Sequence, residues 1–157
     1  MATVVTLVAV VGLISAVTMG SEMLDIARKQ TVAMQIIRNE IDGIHLQNWA
    51  MVSGTLPVSA TVTINDNGTD FTVSTGAADK QAFALTNYSS SPANYNLGLM
   101  NVAKGFTLSL TKSATSQANL WALTYTVTWN GGNMRKGYSR SSVTYYGKTG
   151  LNLYYQK

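Results

Sequence analysis

The sequence predicts an α+β fold, in which one long N-terminal α-helix carries an antiparallel β-sheet head. Three observations predict it: residues 2–20 contain no charge, helical periodicity of apolar residues continues to about residue 51, and alternation of apolar and polar residues follows residue 58. We divide the chain into an apolar helix at 1–24, an amphipathic continuation at 25–53 that packs on the head, and a sheet domain at 54–157. A length of 157 residues suits one compact domain plus one appendage.

The first segment is long enough to cross a bilayer. As a helix, residues 2–20 would span about 28 Å, close to the thickness of the hydrocarbon core. A secretory signal peptide and a plain transmembrane anchor are the two alternatives for such a segment. A signal peptide needs a basic region before its apolar run, whereas the first base here is Arg28. We therefore expect that a leader has been removed and that Met1 is the mature N-terminus, while the plain transmembrane anchor stays open as an alternative.

Small residues on the apolar segment predict close contact between helices. Gly12, Ala16 and Gly20 follow one another at steps of four residues and so share one helix face. Such a stripe lets two helices approach each other closely. We take these three positions as candidate assembly residues.

The helix is expected to continue beyond the apolar segment. Ala33, Ile37, Ile41 and Ile44 lie at helical spacing and predict a buried face. The charged residues between them predict a solvated or subunit-facing side; they are Asp25, Arg28, Lys29, Arg38, Glu40 and Asp42. A helix from residue 2 to 51 would be about 75 Å long, far longer than a domain of this size. Its apolar half must therefore protrude.

The head is predicted to be a sheet of four to six antiparallel strands. Asn67-Gly68 is a strong hairpin signal, which places Ile64 opposite Phe71 and Val62 opposite Val73. Residues 120–129 alternate cleanly, with an aromatic or aliphatic residue at every odd position. Further strands are expected at 106–110, 134–146 and 151–155, and residues 76–104 are expected to be irregular. A two-residue turn at 131–132 would place a lysine on the apolar face, so a bulge or a wider loop is expected there.

Composition argues against an enzyme. The chain has no Cys and one His, which excludes disulfides, thiolate chemistry and multi-histidine zinc motifs. His45 lies on the predicted helix, where a polar-face or sheet-contacting role is expected. Residues 65–70 lack the ligand pattern of a calcium loop. We expect no catalytic residues, no metal and no cofactor.

The charges divide between the two halves of the chain. Residues 1–79 hold all seven acids and three bases, whereas residues 80–157 hold eight bases and no acid. The division predicts attraction between copies of the chain or affinity for polyanions, and dispersed solubilising bases are the alternative. The candidate polyanion contacts are Lys104, Lys112, Arg135, Lys136, Arg140 and Lys148. The nearby tyrosines fit a nucleic-acid site and a packed sheet equally well.

The architecture resembles the type IV pilin-like superfamily, including the pseudopilins of type II secretion. The helix from Arg28-Lys29-Gln30 to Ile44 is similar to the mixed pattern in minor pilins, and residues 126–132 are similar to the final hairpin of some members. The resemblance implies a cell-surface filament of identical copies, an inner-membrane pool before assembly, and pilus or secretion machinery as partner. Nucleic acid is a less favoured partner.

Two positions depart from the family pattern. The mature chain of the family usually starts with Phe, methylated on its amine, and has Glu at the fifth position to neutralise a neighbour's amine. Here those positions hold Met1 and Val5, which we add to the candidate assembly residues. An unpaired ammonium group is costly in an apolar bundle. The departure therefore favours a minor pilin or pseudopilin as the alternative to a major subunit.

Overall fold

The computed structural model describes residues 2–64, 71–73, 103–130 and 137–148. Helix α1 spans Ala2–His45, which corresponds to a length of about 66 Å. A short π-helix, Met51–Thr55, follows it. The remaining elements are strands, so the expected α+β class with one long N-terminal helix is confirmed.

The five described strands form one antiparallel sheet. They are β1 Ser59–Ile64, β2 Phe71–Val73, β3 Thr107–Ala114, β4 Leu120–Asn130 and β5 Gly137–Gly147. Their spatial order is β2-β1-β3-β4-β5. The short β2 and the long β5 are therefore the two edges of the described sheet.

The register of the first hairpin follows the prediction. Ile64 lies opposite Phe71, and Val62 lies opposite Val73. Asn130 pairs with Gly137, which excludes a two-residue turn at 131–132, as expected. The six residues between them lie outside the described residues, and with them the predicted bulge or wider loop. A two-residue turn at 131–132 would have placed the side chains of β5 opposite other neighbours on β4.

The core lies between the second half of α1 and one face of the sheet. The buried apolar helix residues are Val32, Ala33, Ile36, Ile37 and Ile44. The buried apolar strand residues are Ala60, Val62, Ile64, Leu108, Leu110, Leu123, Tyr125, Val127 and Trp129. The helix contacts β4 and β5. The predicted buried face of the helix and the predicted alternation in β4 are both confirmed, with Ile41 only partly buried.

The prediction of a helix to residue 51 is wrong, because α1 ends at His45. Two hydrogen bonds form just after this end of the helix. The Asn48 side chain accepts a hydrogen bond of 2.9 Å from the Met51 N–H, as a capping residue does for a new helical turn. The Tyr146 hydroxyl, from the far end of β5, donates to the Gln47 carbonyl. A new turn therefore begins after the junction, and the sheet stabilises the break.

Several predicted elements differ in extent or lie outside the described residues. Strand β3 extends to Ala114, beyond the predicted residue 110, and β5 is described from Gly137, because residues 134–136 of the predicted strand lie outside the described residues. The predicted strand at 151–155, the Asn67-Gly68 turn and most of the segment at 76–104 lie outside the described residues.

Candidate functional site

The first half of α1 is an uncovered apolar surface, which we call the protruding half and define as residues 3–24. Eleven large apolar side chains between Val4 and Leu24 are exposed, by 49% to 74%. The apolar window of this helix has a mean hydropathy of 1.9, and none of it is buried within the chain. A helix of this length and composition can insert in a membrane or act as a signal sequence.

Four of the five candidate assembly residues lie on this protruding half. A methyl group built on Gly12 or Gly20 would have no atom within 4 Å, and Ala16 is exposed. Val5 lies in the helix, and Met1 lies outside the described residues. No contact with the described part of the chain therefore explains why small residues occupy the stripe.

Hydroxyl groups on the helix are compatible with an apolar environment. The Thr18 hydroxyl donates to the Ile14 carbonyl at 2.8 Å, and the Thr31 hydroxyl donates to the Ala27 carbonyl at 3.1 Å. Such back-bonding satisfies the hydroxyl donor without water. Thr18 can thus be buried against lipid or against another helix at little cost.

The base of the helix is held on β5 by aromatic and polar contacts. The His45 Nε2 atom lies 3.2 Å from the Thr144 hydroxyl, and the His45 ring stacks on Tyr146. Trp49 stacks on the same tyrosine, with ring centroids 6.2 Å apart. His45 therefore contacts the sheet, as expected. These contacts fix the direction in which the protruding half leaves the head.

Glu40 is a buried carboxyl group, contrary to the expectation of a solvated side. Only 1% of the residue is exposed. Burial raises the pKa of Tyr125, and the negative charge of Glu40 raises it further. The spacing held a signal for this position, since residue 40 follows Ile36 and Ile37 and precedes Ile44 on the same helix face. The expectation of a solvated side chain, which rested on the charge of Glu40, is therefore wrong.

The buried Tyr125 predicts a pH dependence of stability. Its hydroxyl has no hydrogen-bond partner in the part of the chain that the structure describes. Above the unfolded-state pKa of 10.0 the unfolded chain loses this proton, whereas the folded chain keeps it because the folded pKa is raised. The stabilisation is thus complete below pH 10 and falls above it. From pH 10 to 11, the free energy of unfolding of the wild-type protein should fall by about 1 kcal/mol more than that of the Tyr125→Phe variant.

Urea unfolding in detergent at pH 8 to 11 measures this difference between the two proteins. A parallel pH dependence in wild type and Tyr125→Phe throughout that range would contradict the assignment.

Lys112 is a structural residue rather than an exposed polyanion contact. It is 5% exposed, and its Nζ donates to the carbonyls of Val52, Ser53 and Leu56 at 3.1, 3.2 and 2.7 Å. The same atom lies 4.8 Å from the centre of the Trp121 ring. Burial lowers the pKa of Lys112. The lysine thereby ties the π-helix and the residue after it to strand β3.

Removing this amine should destabilise the head. Lys112→Met keeps much of the side-chain volume but leaves three carbonyls without their donor, so we expect a loss of about 2–4 kcal/mol in the free energy of unfolding. Lys148→Met, at an exposed position, is the matched control and should change it by under about 0.5 kcal/mol. Urea unfolding of both variants in detergent measures the difference. Equal effects of the two substitutions would refute the role of Lys112 in holding the π-helix on strand β3.

The remaining basic residues do not form one patch in the described part of the chain. Lys104, Arg140 and Lys148 are exposed, whereas Arg135 and Lys136 lie outside the described residues. Lys104 precedes the start of β3, and Lys148 follows the end of β5, at the opposite end of the sheet. Arg140 lines an open cleft between α1 and β5, with Arg38 and Asp42 also in its wall.

Among the described residues, no group of three or more His, Asp or Glu side chains could hold a metal ion. Comparisons with known proteins give no match: no family model fits the chain, no curated protein is significantly similar, and no solved structure matches its fold. Function must therefore be inferred from the geometry of the chain itself, and the protruding half is its most distinctive feature.

Proposed function

We propose that this protein is a structural subunit of an extracellular, type IV pilus-like filament that polymerises by bundling its apolar N-terminal helix. One observation carries the proposal: the same continuous helix is buried against the sheet in its second half and wholly uncovered in its apolar first half. The proposal assigns the chain no catalytic role and no cofactor.

The energetics favour burial of the protruding half in an assembly or a bilayer. Its eleven large apolar side chains are each about half to three-quarters exposed. Covering them would contribute about 10–20 kcal/mol per chain by apolar area, an upper limit before the entropy of assembly is subtracted. An exposed apolar surface of this size is not stable in water. A membrane-inserted pool before assembly and a helical bundle afterwards both remove it from water.

The rigid junction supports a filament more than a flexible tether. The contacts of His45, Gln47 and Trp49 with β5 hold the helix at a defined angle to the sheet. A regular polymer needs each subunit to present its head in the same orientation. A plain membrane anchor has no such requirement and can be joined by a loose linker.

A minor pilin or pseudopilin is the second candidate, and Val5 favours it. Without a carboxylate at that position, a neighbour's N-terminal amine has no opposite charge in a bundle. A subunit at the tip of a filament, or one that primes assembly, needs fewer such pairings than a major subunit. For a polyanion- or DNA-binding pilin, the described residues leave only three exposed and separated bases in the head, so we do not favour that alternative.

Shearing of cells that express the chain tests the proposal. A filament subunit should appear in the sheared supernatant and sediment as a large assembly, with a second pool in the membrane fraction. A minor component should sediment in the same assemblies at a small fraction of the major subunit. Retention of all the protein in the membrane fraction would identify a simple anchor and refute the filament.

A further inference from the structure

The sheet face opposite α1 is a regular array of hydroxyl groups, which we call the hydroxyl face. Four strand segments contribute to it, and each supplies its first, third and fifth residue. The segments are 59–63, 107–111, 124–128 and 139–143. The strand register aligns them into three rows of four positions. Eleven of the twelve positions are Ser or Thr, and Val143 is the exception. The face therefore has short side chains with nearly uniform chemistry.

The spacing of the array follows from strand geometry. One row runs across four strands through Thr63, Thr107, Thr128 and Ser139. Neighbouring positions in a row are about 4.8 Å apart, and rows are about 6.7 Å apart. The Thr63 and Thr107 hydroxyls lie within 3.2 Å of each other. The Ser109 hydroxyl donates to the Thr126 carbonyl at 3.3 Å, and the Thr128 hydroxyl donates to the Thr107 carbonyl at 3.5 Å, so these two hydroxyls would only accept from a ligand. A serine or threonine whose donor is not used in this way can both donate to and accept from a ligand that carries hydroxyls itself.

The hydroxyl face carries no charge, although the half of the chain that supplies most of it holds eight bases and no acid. Both bases in the described strands lie on the other face of the sheet. Lys112 is paired with the buried Leu123, and Arg140 is paired with the buried Val127. A charged partner would gain no ion pair on the hydroxyl face and would lose hydration. A neutral partner matches it.

An aromatic side chain borders the array. Tyr145 is 49% exposed, and Val143 beside it is 51% exposed on the same face. Tyr145 is opposite Ala122, which is opposite Ser113, so its neighbours across the sheet are small. A pyranose ring has an apolar C–H face and a rim of hydroxyls. The C–H face can pack on an aromatic ring such as that of Tyr145, and the rim of hydroxyls can hydrogen-bond to the adjacent Thr and Ser side chains.

We propose that the hydroxyl face, together with Tyr145, binds a neutral polysaccharide. The ring of Tyr145 supports a sugar residue, and the rows of hydroxyls hydrogen-bond to the sugar residues that follow. The surface belongs to the folded head and is present whether or not the chain polymerises. In a filament with helices at the centre, the same face would point outward.

Sedimentation with insoluble cellulose and chitin, two uncharged polysaccharides, tests the inference with the full chain in detergent micelles. We expect wild type to bind at least one of them. Thr124→Val/Thr126→Val should weaken that binding about thirtyfold and Tyr145→Ala about fivefold, since two lost contacts and one lost contact of about 1 kcal/mol correspond to those factors. Thr31→Val, the same substitution on the exposed helix, is the matched control and should bind as wild type does.

Near-UV circular dichroism confirms that each variant is folded before binding is compared. No binding of wild type to either polysaccharide would overturn the inference, as would equal loss in Thr31→Val. Binding of DNA alone, or face variants that affect only self-association, would also overturn it by assigning the surface to another partner. A chain that forms filaments but binds neither polysaccharide would overturn this inference and leave the proposed function standing.

Discussion

Removal of residues 1–24 is expected to convert the chain from an aggregating or membrane-bound protein into a soluble monomer with an intact head. The deleted segment includes the eleven exposed large apolar side chains from Val4 to Leu24. The core contacts of α1 begin at Val32, so the truncated helix retains them all. Size-exclusion chromatography without detergent measures the oligomeric state. Near-UV circular dichroism reports the packing of the tryptophans, all of which lie beyond residue 48.

The matched control for this deletion is the full chain with and without detergent. We expect it to be monomeric or micelle-bound with detergent and to sediment as large assemblies without it. An insoluble truncated protein, or one whose tryptophan signals are lost, would contradict the claim that the head folds independently of the protruding half.

Gly12→Leu and Ala16→Leu should abolish assembly while leaving the head folded. Among the residues that the structure describes, a Cβ at Gly12 meets nothing within 4 Å, and Ala16 is exposed. Leucine is also a better helix former than glycine by nearly 1 kcal/mol, so Gly12→Leu should not weaken the helix. Any defect must therefore arise between chains, where a bulky residue keeps neighbouring helices apart. The yield of sedimentable assemblies in the sheared fraction should fall by about tenfold or more.

Gly54→Leu is the matched control, because it places the same side chain at an open position of the head. It should assemble at the wild-type level. Normal yields from both Gly12→Leu and Ala16→Leu would show that the small residues do not set the distance between helices, and would remove the close-packing argument.

The parts of the fold that could be predicted from the sequence are those with strong local signals. The hairpin register follows from Asn67-Gly68 and from alternation that agrees with it, as the pairing of Ile64 with Phe71 confirms. The alternation in β4 has the same origin. The protruding half was predicted from the absence of charge and from length alone, since no small domain can cover a helix of the predicted length of about 75 Å.

The parts that could not be predicted depend on contacts distant in sequence. The end of α1 at His45 depends on Tyr146, which is 99 residues from the Gln47 carbonyl that it contacts. Lys112 has the charge of a surface residue, and only the fold brings three backbone carbonyls to its amine. The charge of Lys112 predicted an exposed side chain, whereas its tertiary contacts bury it.

The candidate site shows the same division. Gly12, Ala16 and Gly20 were found from their spacing, and the structure leaves them uncovered on the protruding half. The six candidate polyanion contacts were chosen from charge alone. Those that lie among the described residues are separated from one another in the fold. Alternation alone places Thr124, Thr126 and Thr128 on one face of β4, whereas the rows of the hydroxyl face depend on which strands are neighbours.

Cryo-electron microscopy of material sheared from cells that express the chain tests the central claim most directly. We expect fibres in which residues 3–24 form a bundle of helices around the axis, with the sheet at the outside and the hydroxyl face toward solvent. Fibres in which this helix lies at the surface, or a sheared fraction without any fibre that contains the chain, would contradict the account.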